Sequence, residues 1–198
     1  MIIGLTGLPA SGKATIANYL VKKHNYKQLL FSDIIKSELA KSNIINPVRE
    51  DYKNKALELR QKYGDGALAL LLIQQCKKDD ANLTNNYVLD GIRTMGEVIE
   101  IKKVGSLPAY AGKPAKAVQI WAVTAPIEKR LEWIKSRNRN IDTTLTTEDL
   151  KQLDEKELYS GEQTQGDHTL AQTIKNADKT LINDKEIEDL EEKVEGLI

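Results

Sequence analysis

Met1-Ile2-Ile3-Gly4-Leu5-Thr6-Gly7-Leu8-Pro9-Ala10-Ser11-Gly12-Lys13-Ala14-Thr15-Ile16-Ala17 opens the chain, and its reading decides the fold. Met1 to Thr6 is apolar and short, as a buried strand is. Lys13 to Lys23 places Ile16, Ala17, Leu20 and Val21 on one helical face. Between them, Gly7 to Lys13 matches G-x-x-x-x-G-K. Glycines let successive backbone N–H groups turn inward around phosphate oxygens. The following helix N-terminus adds its partial positive charge. Lys13 then reaches the β- and γ-phosphates of a bound triphosphate. Gly7, Leu8, Pro9, Ala10, Ser11, Gly12, Lys13, Ala14 and Thr15 are the expected phosphate-binding set. The residue after Lys13 is Ala14, which has no hydroxyl for a magnesium ion, so Thr15 is the candidate hydroxyl near phosphate and metal.

Working outward, strands at Tyr26 to Phe31, Asn86 to Asp90, Ala117 to Thr124 and Lys179 to Asn183 alternate with helices. Ser32 is placed to cap a helix from Asp33 to about Lys41. Further helices are expected at Tyr52 to Lys62, Gly66 to Lys77, Thr94 to Lys103, Pro126 to Ser136, Thr147 to Leu158 and Leu170 to Asn176. An amphipathic helix carrying Ile187, Leu190, Val194 and Leu197 closes the chain. Val104 to Lys116, with two prolines and two glycines, reads as a loop. The alternation implies an α/β protein: three α/β/α layers around a mainly parallel five-stranded sheet. Ligands of such sheets sit at the carboxyl ends of strands.

Composition narrows the function classes. The 198 residues suit a single domain (1–198). Lysine plus arginine and aspartate plus glutamate both number 29, so zero net charge argues against a nucleic-acid or membrane-surface binder. No apolar run has the length of a membrane span, and the N-terminus lacks the form of a signal peptide. One cysteine, Cys76, excludes an internal disulfide and agrees with a cytoplasmic location. His24 and His168 have no cysteine partners at zinc-ligand spacing.

Two more strand ends carry chemistry. Phe31-Ser32-Asp33 ends one strand and starts a helix. Asp33 reads either as a functional acid or as a first-turn residue favoured by the helix dipole. Tyr87-Val88-Leu89-Asp90-Gly91-Ile92-Arg93-Thr94 places an aspartate, then an arginine, after an apolar strand. Asp90 is the candidate to hold magnesium through water, beside Thr15. Arg93 is the candidate fork for an acceptor phosphate.

Gly7 to Thr15 resembles the adenylate kinase loop G-x-P-G-x-G-K-G-T, with Ala10 and Ala14 in place of glycines. Leu89-Asp90-Gly91-Ile92-Arg93-Thr94 resembles the L-D-G-F-P-R-T segment of the same kinases, one residue shorter. Phe31-Ser32-Asp33, Leu59-Arg60, Asp90 to Arg93 and Ala177-Asp178 together look like the archaeal uncharacterised nucleotide-kinase-like family. The resemblance spans nearly the whole chain and implies a P-loop NTPase fold with a helical lid. It implies ATP and Mg as cofactors, and transfer of the γ-phosphate to a small-molecule nucleotide acceptor, most simply a nucleoside or deoxynucleoside monophosphate. Dephospho-CoA is the rival acceptor, since dephospho-CoA kinases carry an aspartate at the place of Asp33, read as the base for a hydroxyl. An ATP-binding switch or slow ATPase working through a protein partner is the alternative of another class.

The resemblance also assigns acceptor-binding helices to about 33–80, where Arg49 and Arg60 lie, and a lid to about 137–167. Arg137 and Arg139 are the expected charge-neutralising arginines over the phosphates, while Arg130 before them reads equally as a lid arginine or as a solvated basic helix end. Ala177-Asp178-Lys179-Thr180-Leu181-Ile182-Asn183 resembles the closing strand of dephospho-CoA kinases and makes Asn183 the candidate on the adenine side. A monomer or small homo-oligomer is expected.

Overall fold

The computed structural model describes residues 1–106, 117–136, 144–159 and 169–198. The expected lid arginines Arg137 and Arg139, and most of the expected loop at 104–116, lie outside the described residues. Five strands form one sheet: β1 (Ile2–Thr6), β2 (Lys27–Leu30), β3 (Tyr87–Ile92), β4 (Val118–Thr124) and β5 (Lys179–Ile182). Their order is β2-β3-β1-β4-β5, and every neighbouring pair is parallel. β1 lies at the centre and is buried along its whole length, which is why it reads as a continuous apolar run.

Strand alternation sends side chains into two separate cores. Ile2, Leu89 and Ile120 face one core with α2 (Phe31–Lys41), α3 (Arg49–Tyr63), α4 (Ala67–Asp79) and α5 (Met95–Gly105). Ile3, Leu5, Val88, Trp121 and Val123 face the other, with α1 (Lys13–His24) and the closing helix. Gly4 has no side chain because Ile92 and Ile120 meet over it: a Cβ there would lie 2.4 Å from Ile92 Cδ1. The connection after β4 supplies α6 (Ile127–Ser136), α7 (Thr147–Tyr159) and α8 (Leu170–Lys175), and α9 (Ile187–Glu195) ends the chain.

One expected helix start is corrected. Helix α2 begins at Phe31, directly after β2, and its N-cap is Leu30. Ser32 is exposed and inside the helix. Phe31 and Ile34 are both buried at i and i+3, so burial of that face sets the start ahead of the capping hydroxyl.

Candidate active site

The site is built where β1, β2 and β3 end. Leu5 of β1 pairs with Asp90, but the next residue, Thr6, pairs with Ile92. Gly91 is the extra residue of a bulge and takes φ 110°, which a side chain would strain. Without the bulge, Ile92 would share the Asp90 face. With it, Ile92 turns into the α2–α5 core, while Asp90 stays on the Val88 face, towards α1. Thr6 Oγ1 donates to the Ile92 carbonyl at 2.9 Å and closes the bulge.

The phosphate loop runs between β1 and α1, as read from the residues. Gly7 and Gly12 take φ 137° and 106°. Ala10 takes φ 60°, a left-handed conformation that costs an alanine roughly 1 kcal/mol and a glycine nothing. A Cβ on Gly12 would lie 2.4 Å from Asn183 Nδ2. Lys13 Nζ donates to the carbonyls of Gly7 (2.8 Å) and Leu8 (2.9 Å), so the cation is folded over its own loop. Burial pulls its pKa down to about 8; Asp90 opposes this, while Arg93 and Arg130 add to it. Burial raises the pKa of Asp90, and the Lys13 ammonium partly restores it. Lys13 and Asp90 are thus a desolvated, opposite-sign pair at the mouth of the loop.

Arg130 is not a solvated helix end, one of its two readings from the sequence. It is buried, with its side chain only 3 % exposed. Its guanidinium grips Asp154 of α7 through two bonds of 2.6 and 2.7 Å, and its Nε donates to the Pro9 carbonyl at 2.9 Å. The side chain therefore ties α7 to the phosphate loop. Asn183 braces the loop from the opposite side. It is buried and donates from Nδ2 to the Ser11 carbonyl at 3.1 Å, so the expected adenine-side residue is committed to the loop backbone. Asp178 from the same motif accepts the backbone N–H of Ile120 at 2.7 Å and joins β5 to β4.

Arg93 is exposed and ion-paired with Glu157 of α7. The same carboxylate pairs with Arg49 at the start of α3, at 2.6 Å. Burial of Glu157 would raise its pKa, but the two arginines outweigh this and hold it low. Glu157 and Asp154 share one α7 face with Leu150, at spacings i, i+4 and i+7. Arg60 does not join this group: its Nη2 bonds Glu97 Oε1 at 2.7 Å. Glu97 is wholly buried, and its other oxygen accepts the backbone N–H groups of Arg93 (2.7 Å) and Thr94 (3.2 Å). Thr94 returns the bond by accepting from the Glu97 N–H at 3.2 Å. This is a capping box, and Thr94-Met95-Gly96-Glu97 carries its pattern. Glu97 thus fixes the backbone from which Arg93 projects.

The other expected residues are placed less centrally. Asp33 is exposed in the first turn of α2, at the end of β2, and has no hydrogen bond or ion pair among the described residues. Thr15 lines a shallow groove with Asn18, Tyr19 and Glu191, on the α9 side of α1. The two metal candidates therefore stand apart: Asp90 beside Lys13, Thr15 one helix face away. Among the described residues no three histidine, cysteine or carboxylate side chains converge on a metal position. No helix among them is long and apolar enough to cross a membrane.

Comparisons agree with this architecture. The chain is 32% identical over 197 residues to a UPF0200 protein of Sulfurisphaera tokodaii, covering 100% of this chain and 95% of that one. It is 29% identical over 200 residues to a UPF0200 protein of Thermococcus onnurineus, covering 100% and 96%. Among solved structures, shikimate kinase from Bacteroides thetaiotaomicron superposes with a TM-score of 0.55 at 13% identity, covering 100% of this chain and 97% of that one. A protein of Eubacterium ventriosum does so with a TM-score of 0.55 at 12% identity, covering 100% and 98%. These two likenesses are of fold. Residues 6–151 match the family described as AAA domain, a span that contains the phosphate loop, Asp90, Arg93 and Arg130. The chain belongs to this AAA domain family, in its P-loop kinase-like form, with archaeal UPF0200 proteins as its full-length relatives.

Proposed function

We propose that this chain is an ATP-dependent phosphotransferase that moves the γ-phosphate of ATP-Mg to a small nucleotide-like acceptor bearing a phosphate, such as a nucleoside or deoxynucleoside monophosphate. The observation that carries the reading is the shared mouth. A desolvated Lys13–Asp90 pair lies within electrostatic reach of Arg93, which is itself paired beside Arg49. One half suits a triphosphate tail and the other a second anion, so two phosphates can be brought together at the ends of β1 and β3. Catalysis then consists of positioning and charge neutralisation. A phosphate acceptor is already ionised, which leaves Asp33 without an essential proton to take.

The donor set suits a magnesium ion bound mainly by phosphates and water. Asp90 offers one partly buried carboxylate with no hydrogen-bond donor on it among the described residues. Magnesium at such a site needs one or two carboxylates and keeps several waters. It would supply charge neutralisation on the phosphates.

The test is ADP release from ATP-Mg with and without a panel of nucleoside monophosphates, deoxynucleoside monophosphates and dephospho-CoA. Strong stimulation by a monophosphate, with a diphosphate product, is expected. Stimulation by dephospho-CoA alone would move the acceptor to a hydroxyl and restore Asp33 as its base. Slow release that no acceptor changes would leave an ATP-binding switch.

A pH dependence follows from Lys13. In the free protein its ammonium loses its proton above a pH of about 8. Bound polyphosphate holds that proton on, so binding above this pH takes up a proton. Affinity for ATP-Mg, measured by calorimetry, should fall by up to about tenfold per pH unit above that point, because one proton is linked to binding. Lys13→Arg, whose guanidinium does not titrate in this range, should flatten the slope. A wild-type affinity constant from pH 7 to 10 would contradict the assignment of Lys13 to the phosphates.

A further inference from the structure

Arg49 and Arg93 come from distant parts of the chain, the start of α3 and the end of β3, yet one carboxylate bridges them. Glu157 presents Oε1 to Arg49 and Oε2 to Arg93. Two oxygens of one phosphate group make the same bridge between two guanidinium groups. The charges are unequal: two cations face one anion, so a net positive charge remains at the mouth beside Lys13. A dianion would balance the pair better than the carboxylate does. Arg49 and Arg93 remain 78% and 49% exposed, so an incoming anion can reach both. Glu157 stands in the last turn of α7, where terminal carbonyls lack helical partners and a turn can loosen at small cost. Asp154, one turn earlier, stays locked to Arg130 and would hold the rest of α7 in place.

We propose that Glu157 is an internal counter-anion that occupies the acceptor-phosphate position and sets its charge requirement: a dianionic phosphate monoester displaces it, whereas a monoanionic carboxylate does not. The inference rests on the phosphotransferase reading for the identity of the acceptor. The competition itself is a property of the Arg49–Glu157–Arg93 bridge. Glu157 is a specificity-setting residue that must leave before transfer, and not a catalytic one.

The test separates the two. ADP-Mg binding is measured first by calorimetry, and its absence would overturn the phosphotransferase reading alone. Inorganic phosphate and acetate are then titrated into ADP-loaded protein. The same titrations are made in Lys13→Met protein, where the phosphate loop cannot compete. Glu157→Gln should bind phosphate about tenfold more tightly than wild type, in line with the worth of a charge pair at a partly exposed interface. Acetate, which wild type should not bind measurably, should become detectable in Glu157→Gln because its competitor is gone. Arg49→Ala combined with Glu157→Gln should lose the gain. Acetate bound by wild type as tightly as phosphate would overturn the charge requirement. A Glu157→Gln protein with wild-type or weaker phosphate affinity and an unchanged melting curve would overturn the counter-anion itself.

Discussion

Lys13→Met is expected to weaken ATP-Mg binding by at least about a hundredfold, the loss of roughly 3 kcal/mol from charge-assisted bonds to phosphate. The fold should survive, and its stability at neutral pH should rise. The reason lies in the depressed pKa. Burial holds Lys13 at about 8 against an ordinary 10.5. Between these values the unfolded chain binds the proton and the folded protein does not, so stability increases with pH across that window. Below about 8 the penalty for keeping a buried ammonium is present in full, on the order of 3 kcal/mol. Methionine fills the same space without that charge. Denaturant melts at pH 7 and pH 10 check this: Lys13→Met should gain most at pH 7 and little at pH 10. A variant less stable than wild type at pH 7, or one that still bound ATP-Mg normally, would refute the account.

Breaking the buried Arg130–Asp154 pair between α6 and α7 is expected to cost a large part of the protein's stability. Both side chains are largely removed from water, at 3% and 13% exposure. Asp154→Ala strands a buried guanidinium, and Arg130→Ala strands the carboxylate and also frees the Pro9 carbonyl. Each should lose about 3–5 kcal/mol. Replacing both together, Arg130→Met with Asp154→Leu, should restore most of the stability, since an apolar pair of similar volume avoids desolvating two charges. ATP-Mg affinity should not recover in that double variant, because nothing then holds Pro9. Melts and nucleotide binding measured on the three variants separate the two roles. Equal recovery of stability and binding would show that the pair serves folding alone.

Much of this site was readable from the residues. The strand, glycine loop and helix at Met1 to Lys23 carry their own local geometry, and β3 with Asp90 and Arg93 carries its own as well. The Thr94-Met95-Gly96-Glu97 box was also readable, although its glutamate resembles any surface acid until the pattern is matched. The Arg130–Asp154 lock was not. Its partners stand 24 residues apart, on helices whose packing no local periodicity encodes. Glu157 was hidden for the same reason: a charged residue in the last turn of an acidic helix reads as solvated face. Ser32 misled because capping preference is worth about 1 kcal/mol, less than the burial of Phe31. Ala10 and the shortened segment before Arg93 depart from the kinase pattern. In the structure Ala10 keeps the glycine-like conformation, and the bulge at Gly91 turns Ile92 into the α2–α5 core while Asp90 keeps facing α1.

The bond from Asn183 to the loop has a consequence for synthesis. During synthesis the loop is made well before its brace, which is 172 residues further along the chain. A nascent chain with the first strand, loop and helix already made lacks the amide that holds Ser11, and also lacks β4 beside β1. The loop lacks these supports until β4 and Asn183 have been made. A polypeptide that stops short of Asn183 should therefore hold its phosphate loop less firmly than one that includes it.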